Sequence, residues 1–394
     1  MTLSPEEERR LAARPIADPR AFEIWLRARQ DFHTFTTEGL ERGFHLLEQA
    51  LAIVGDNALI YAGLATFCFA FYDVGVRHDE ETLRQGEQYA TRALELDPQL
   101  PQALLALGLV RAKRGQVQDF SRLVRRAVDA GRDCDALVFL AFILAMVGRI
   151  DEARRYGEEA VAADPLAAFT SLALVSVDFL NGQFTAAAVR LRDVLERLAP
   201  GDPLMIWWLA QVGAHGGRDA GGCAAFEQVA KMGAGFLSDL SEVTRRALIG
   251  DRGGVHDWLD GHPSLRDVAM TDQFYPFCLA TVFACIGDTE EALTWLTQAV
   301  SWGFSNHRFL AEHNRFLAPL RGDPRLEALM EKARENAGSS AACCPASSAF
   351  RFRSSSALET SPGGHRDSAL ATTGVSGLIS ARHQTRRILR KFSW

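Results

Sequence analysis

Residues that could carry out chemistry are scattered along this 394-residue chain without the spacing of a catalytic motif. His365, Arg366 and Asp367 spell the catalytic-loop tripeptide of protein kinases, but Thr372 stands where that motif needs Asn. The histidines and aspartates between residues 256 and 262 lack the HExxH arrangement of a zinc enzyme. The sequence therefore predicts a protein that is not an enzyme, with no catalytic residues, no cofactor and no metal.

The glycine pairs and the cysteines are better explained by structural roles than by catalysis or ligand binding. The glycines at 216–217, 221–222 and 253–254 do not follow strand patterns and lack GxGxxG or GxxxxGK spacing, so we expect turns between helices. The seven cysteines are odd in number and include no CxxC, which is atypical of a disulfide framework or a zinc ribbon. A reducing, cytoplasmic compartment fits this usage.

Composition supports a soluble, folded chain. Hydrophobic residues make up 47% and charged residues 23%, values typical of globular proteins. Residues 1–12 are charged where a signal peptide needs an apolar core. The longest apolar run, residues 136–147, is shorter than a membrane-spanning helix, so we expect no integral membrane association.

Charge is distributed unevenly. Residues 338–394 contain eight basic and two acidic residues, a net charge of +6, which leaves −12 for residues 1–337. A body this acidic is unsuited to nucleic acid, because phosphate contacts need clustered positive charge. The tail is rich in serine and lacks helical periodicity, so residues 337–394 are predicted to be disordered.

An internal repeat organises the rest of the chain. Glycines that follow apolar, helix-periodic stretches recur at spacings of 33, 34, 35 and 70 residues: Gly115, Gly148, Gly182, Gly217 and Gly287. Two further sets of small or apolar residues keep the same period, five and twelve positions after each glycine. A period of this length is the signature of a repeat architecture.

Each repeat is predicted to be a pair of helices. Leu137, Leu140 and Leu144 lie on one helix face, and Gly148 supplies the left-handed residue that ends the helix. Asp151 is the predicted N-cap of the second helix, and Asp164-Pro165 ends it and opens the next unit.

These residues resemble the tetratricopeptide repeat family, whose units place a Leu-Gly/Ala pair, a helix-ending Gly, then Ala and Pro over 34 positions. The specific matches include Leu107-Gly108, Leu140-Ala141, Leu209-Ala210 and Leu279-Ala280, each followed by one of the repeating glycines. The resemblance implies an all-α, right-handed superhelical solenoid of about eight units with a C-terminal capping helix over residues 20–336, preceded by an arm at residues 1–19. A weakened unit is expected between residues 237 and 259.

The resemblance also implies a concave surface formed by the first helix of each pair. The family's concave positions are mostly apolar here, and Lys113 alone is similar to the residues with which some members bind a carboxylate. We therefore expect a groove for an apolar or amphipathic segment of a protein partner. The predicted partner groove consists of Phe69, Leu105, Leu109, Phe142, Met146, Phe169, Phe179, Trp207 and Phe277.

Two alternatives remain open. A tightly coiled superhelix would bury the same aromatic residues against its own turns. The basic end of the tail, residues 382–394, carries Ile, Leu, Phe and Trp and could contact an acidic membrane or the acidic array, against the simpler reading of a solvated tail.

The predicted function is that of a non-catalytic scaffold or adaptor for protein interactions. Residues 316–332 resemble the end of repeat regions in multidomain bacterial signalling proteins. Those regions often follow a kinase, adenylate cyclase or DNA-binding domain, so the alternative is a regulatory subunit that acts on such a protein in trans. The oligomeric state is left open.

Overall fold

A computed structural model describes residues 15–34 and 36–343, with side chains to residue 337. Within these residues the chain is helical throughout and contains no strand. The helices are α1 (Pro19–Phe32), α2 (Thr37–Val54), α3 (Ala58–Asp73), α4 (Glu80–Leu96), α5 (Pro101–Lys113), α6 (Val117–Gly131), α7 (Cys134–Met146), α8 (Ile150–Ala163) and α9 (Ala168–Leu180). They continue as α10 (Phe184–Arg197), α11 (Pro203–His215), α12 (Asp219–Ala230), α13 (Phe236–Leu248), α14 (Arg252–Gly261), α15 (Pro263–Met270), α16 (Tyr275–Cys285), α17 (Thr289–Ser301) and α18 (Pro324–Cys343).

The helices form a solenoid of pairs. Consecutive helices from α1–α2 to α13–α14 pack as pairs, α16–α17 forms a further pair, and α15 is a single short helix between them. First helices of neighbouring pairs also touch, as α3 does α5 and α7 does α9. The weakened stretch near residue 250 is a complete pair, α13–α14.

The two helices of a pair differ in sequence because they differ in burial. A first helix such as α7 (CDALVFLAFILAM) is apolar all round and contacts its partner and its neighbours. The second helix α8 (IDEARRYGEEAVAA) buries only Ala153, Tyr156, Gly157 and Ala160 and leaves a charged face to solvent. This division follows from the requirement that an all-apolar helix be enclosed on every side.

Helix ends follow sequence signals, with one correction. Asp133 and Asp202 cap α7 and α11 with their carboxylates, as expected of Asp before a first helix. The predicted cap Asp151 is wrong: α8 begins at Ile150, so Asp151 lies within its first turn. The turn after Gly148 is tight, with Arg149 already donating its N–H to the Leu144 carbonyl, so the helix starts earlier.

Candidate functional site: the concave cavity

The first helices surround an apolar cavity, called here the concave cavity, of about 180 Å³. Its walls come mainly from the C-terminal parts of α3, α5 and α7, from the N-terminal parts of α9 and α11, and from the residues just before α16. Six residues of the predicted groove line it: Phe69, Leu109, Phe142, Met146, Phe169 and Trp207. Aromatic side chains are 5–6 Å apart across it, with ring centroids 5.3 Å apart for Phe142 and Phe274 and 6.1 Å apart for Phe142 and Trp208.

The other three predicted groove residues lie elsewhere. Leu105 is buried in the core and does not line the cavity. Phe179 and Phe277 are fully buried, and their rings contact Phe309, with centroids 5.2 and 5.6 Å away. Phe309 belongs to a later part of the chain that covers this end of the concave face.

That covering part is residues 302–320, called here the closing segment. It contains a π-helical turn, Phe309–His313, and a 3-10 helix, Arg315–Leu320. The backbone N–H groups of Ser305 and Asn306 donate to the Met146 carbonyl at 3.0 and 2.8 Å. The Asn306 amide also donates to the carbonyls of Ala145 and Leu180, at 3.0 and 2.9 Å.

The closing segment passes beside the repeating glycines of the solenoid. It passes the helix-ending glycines in order, with Trp302 beside Gly115, Asn306 beside Gly148, His313 beside Gly182 and Arg315 beside Gly217. Gly182 adopts a φ of +71°, which favours glycine, and a Cβ there would lie 2.5 Å from the His313 ring. The closing segment therefore contacts four consecutive repeats, each at its helix-ending glycine.

An ion cluster forms one wall of the cavity. The Lys113 ammonium lies 2.7 Å from an Asp272 carboxylate oxygen and also pairs with Asp73. The Tyr275 hydroxyl donates to Asp73 at 3.3 Å, and the backbone N–H of Tyr275 donates to Asp272 at 2.9 Å. These contacts join α3 and α5 to a loop that lies about 160 residues later.

Burial and mutual attraction set the ionisation of this cluster. Burial lowers the pKa of Lys113, but the carboxylates of Asp272 and Asp73 raise it by more, so the net shift is upward. Burial raises the pKa of Asp73, against the opposing effect of Lys113. For Asp272, burial is outweighed by Lys113 and the backbone donors, so its pKa is lowered. Because Lys113 is already paired, it is poorly placed to bind a partner's carboxylate.

A buried histidine lies where the closing segment meets the first helices. Five phenylalanine rings surround His215, with centroids 4.9 to 6.2 Å away: Phe179, Phe184, Phe277, Phe309 and Phe316. Its Nδ1 lies 2.9 Å from the Gln211 carbonyl, which fixes a neutral tautomer with the proton on Nδ1. Burial, with a smaller contribution from Arg315, lowers its pKa to about 4.

The lowered pKa of His215 predicts that the folded protein loses stability in acid. Its pKa is lowered on folding, so its contribution to stability is complete above the unfolded value near 6.5 and is lost as the pH falls towards 4. Between pH 7.5 and 5 we expect His215 alone to cost about 2 kcal/mol of unfolding free energy. The measurement is urea unfolding of the wild type and His215→Phe at both pH values. An equal pH dependence in the two proteins would contradict the assignment.

The described part of the chain shows neither a metal site nor a membrane-spanning helix. In the described part of the chain, no group of three or more His, Cys, Asp or Glu side chains is placed to hold a metal ion. No helix among residues 15–343 is both long and apolar enough to span a bilayer. The kinase-like tripeptide at residues 365–367 and the basic stretch at residues 382–394 lie outside the described residues.

Sequence reasoning missed the closing segment and the acidic partners of Lys113. Asn306 and Asn314 are buried polar residues in a stretch without repeat periodicity, and nothing in that stretch indicates that they contact α7, α9 or α16. No role was predicted for Asp272. Its carboxylate accepts a hydrogen bond from the Phe274 N–H at 2.6 Å, as an N-cap residue does. An Asp just before an apolar helix was therefore an available sequence signal for a cap.

Comparison with known proteins gives partial likenesses. No family model matches the chain. Over 173 residues it is 24% identical to the transcriptional regulator HilA of Salmonella typhimurium and to HilA of Salmonella typhi, a match that covers 44% of this chain and 31% of HilA. The chain thus spans about a third of the length of these curated relatives.

Among solved structures, yeast Tom70 aligns over 82% of this chain and 69% of its own, with 13% identity and a TM-score of 0.41. The TPR domain of P58(IPK) aligns over 90% of this chain and 94% of its own, with 11% identity and a TM-score of 0.22. At these scores the likenesses carry no argument about function. The stacked helix pairs, with their repeating glycines and enclosed first helices, make this chain an all-α solenoid of tetratricopeptide-like repeats.

Proposed function

We propose that this protein is a non-catalytic interaction module that holds an apolar side chain of a partner segment in the concave cavity. The observation that carries the proposal is the convergence of six predicted groove residues on one apolar cavity. Solenoids of helix pairs use such concave surfaces for binding. A volume of about 180 Å³ accommodates one large aromatic or aliphatic side chain, the usual anchor of a peptide interface.

The walls of the cavity are held in place, which favours binding. The ion cluster of Lys113 fixes one side, and the closing segment buries Phe179 and Phe277 behind another. A pocket fixed before binding loses less conformational entropy when the partner arrives. Phe142, Phe169 and Phe139 are half-buried and remain accessible to a ligand.

Filling the cavity should abolish binding without unfolding the protein. Ala112 is half-buried in the cavity wall, so in Ala112→Phe the new ring takes the space of the anchor. We expect peptides selected from a random phage-displayed library on the wild type to lose affinity by about tenfold or more. The stability of the variant should change by about 1 kcal/mol or less. The readouts are peptide titration and thermal unfolding.

The matched control is Ala162→Phe, which adds the same ring at an exposed position of α8. It should leave the affinity of the selected peptides unchanged. Equal affinity for wild type and Ala112→Phe would place the binding surface elsewhere, and a library that yields no specific peptide would contradict the proposal.

A second candidate is a regulatory role in trans on a bacterial transcription regulator, kinase or adenylate cyclase. The partial likeness to the regulator HilA favours a transcriptional context. This role uses the same cavity, with a regulator segment as the partner. In a reporter assay, co-expression of wild type but not Ala112→Phe should change the output of the target. An identical effect of both proteins would remove this candidate.

A further inference from the structure

A second, acidic cavity, called here the mouth, is lined by several of the helices that line the concave cavity. The mouth has a volume of about 70 Å³ and lies beside the N-terminal ends of α5 and α7. Gln102, Asp133 and Asp135 line it, together with Arg29 and mostly apolar residues of α1, α2 and α3. Asp135 lies at the start of α7, and Phe142 lies two turns further along the same helix. The mouth and the apolar cavity thus lie along one concave face.

Two carboxylates, Asp133 and Asp135, face one cation, Arg29, at this mouth. The Gln102 amide nitrogen donates to Asp133 at 2.7 Å, which fixes the orientation of the amide and leaves its oxygen Oε1 buried without a hydrogen-bond donor. Asp135 has one cation nearby, Arg29, at a long 3.4 Å, and keeps a quarter of its side chain exposed. Burial, and for Asp133 the adjacent Asp135, raises the pKa of these two carboxylic acids.

The wall of the concave cavity contains a hydrogen-bond donor without an acceptor. Trp207 is 2% exposed and lines the cavity, and its buried Nε1 has no acceptor among the described residues. A peptide carbonyl would satisfy this donor. The charged side chains in the cavity wall are two carboxylates, Asp73 and Asp272, against one ammonium, Lys113, so no excess positive charge opposes a cationic ligand.

Helix geometry gives the distance between the carboxylate of Asp135 at the mouth and the ring of Phe142 in the concave cavity. Asp135 and Phe142 are seven residues apart on α7, about 10 Å along its axis and on the same face. An extended peptide covers this distance in about three residues.

We infer that the partner segment of the concave cavity is basic: an extended stretch with one large apolar anchor and an arginine or lysine about three residues away, whose cation binds at Gln102, Asp133 and Asp135. This inference rests on the proposed function and adds the partner's chemistry. Because carboxylates outnumber cations in both cavities, we expect an acidic segment to bind more weakly.

The test uses the full-length chain and three synthetic peptides with one central tryptophan. The residues three positions to either side are arginine in the first, glutamine in the second and glutamate in the third, and binding is followed by fluorescence anisotropy. We expect the arginine peptide to bind about tenfold tighter than the glutamate peptide, with the difference shrinking at high salt. Asp135→Asn should remove most of this preference, and Asp151→Asn, an exposed carboxylate on α8, should not.

The outcomes separate the two proposals. If all three peptides bind equally and Ala112→Phe blocks them all, the basic preference is overturned and the interaction function stands. If none binds, both proposals are overturned.

A further variant tests whether residues 382–394 of the chain itself occupy the cavity. In it, Arg386, Arg387, Arg390 and Lys391 are changed to Gln. A rise of about tenfold in its affinity for the arginine peptide would show that the chain's own basic stretch occupies the cavity, which overturns the external partner.

Discussion

Replacing Lys113 with methionine should destabilise the protein by about 3–5 kcal/mol, because it leaves the buried carboxylates of Asp73 and Asp272 without their shared cation. Lys113 is 5% exposed, so solvent compensates little for the lost ammonium. The measurement is chemical denaturation. Hydrogen exchange should also quicken at residues 271–277, since Lys113 ties this loop to α5.

Two comparisons make this prediction specific. Arg84→Met removes an exposed ion pair with Glu81 and should change the stability little. Adding Asp73→Asn and Asp272→Asn to Lys113→Met removes the unpaired charges and should restore part of the loss. A Lys113→Met protein as stable as Arg84→Met would show that the cluster does not hold the solenoid together.

Replacing Asn306 with alanine should cost about 3 kcal/mol or more, because three buried hydrogen bonds are lost together. The variant leaves the Leu180 carbonyl and the Phe309 N–H without their partner, and removes one donor from the Ala145 carbonyl, which still accepts from the Gly148 N–H. Denaturation measures the cost, and hydrogen exchange of the closing segment shows where it arises.

The matched control for this change is Asn181→Ala, at the C-terminal end of α9. Asn181 is half-buried, and among the described residues its side chain forms no hydrogen bond to the closing segment, so we expect a small effect. Similar losses for the two variants, with no faster exchange in residues 302–320, would contradict the role given to Asn306.

The solenoid could be predicted from the sequence because its information is local and periodic. Gly148 and Gly182 each end a helix with a positive φ, and the apolar first helices between such glycines must stack to be buried. The resemblance to tetratricopeptide repeats implies that Phe142 and Trp207 share a concave face, and the structure brings both to the cavity.

What could not be predicted depends on contacts between distant residues. Asn306 binds carbonyls of residues 126 and 161 positions earlier, and no repeat pattern encodes such pairs. Phe179 has the spacing of a groove residue, but the closing segment covers it, so its helical position alone could not separate an open surface from a covered one. The repeat resemblance marks Lys113 as an isolated concave cation, whereas its pairing with Asp73 and Asp272 depends on the three-dimensional fold.

The most direct test of the central claim is to locate a bound peptide. The photoreactive residue p-benzoylphenylalanine would replace Phe142 in the cavity wall or, as a control, the half-buried Phe44, which packs against Phe71 and Tyr89. With the arginine-flanked tryptophan peptide, we predict crosslinking at position 142, loss of that crosslink when Ala112→Phe is added, and none at position 44. Crosslinking that is equal at both positions, or absent at 142 while the peptide is bound, would contradict the concave cavity as the binding site.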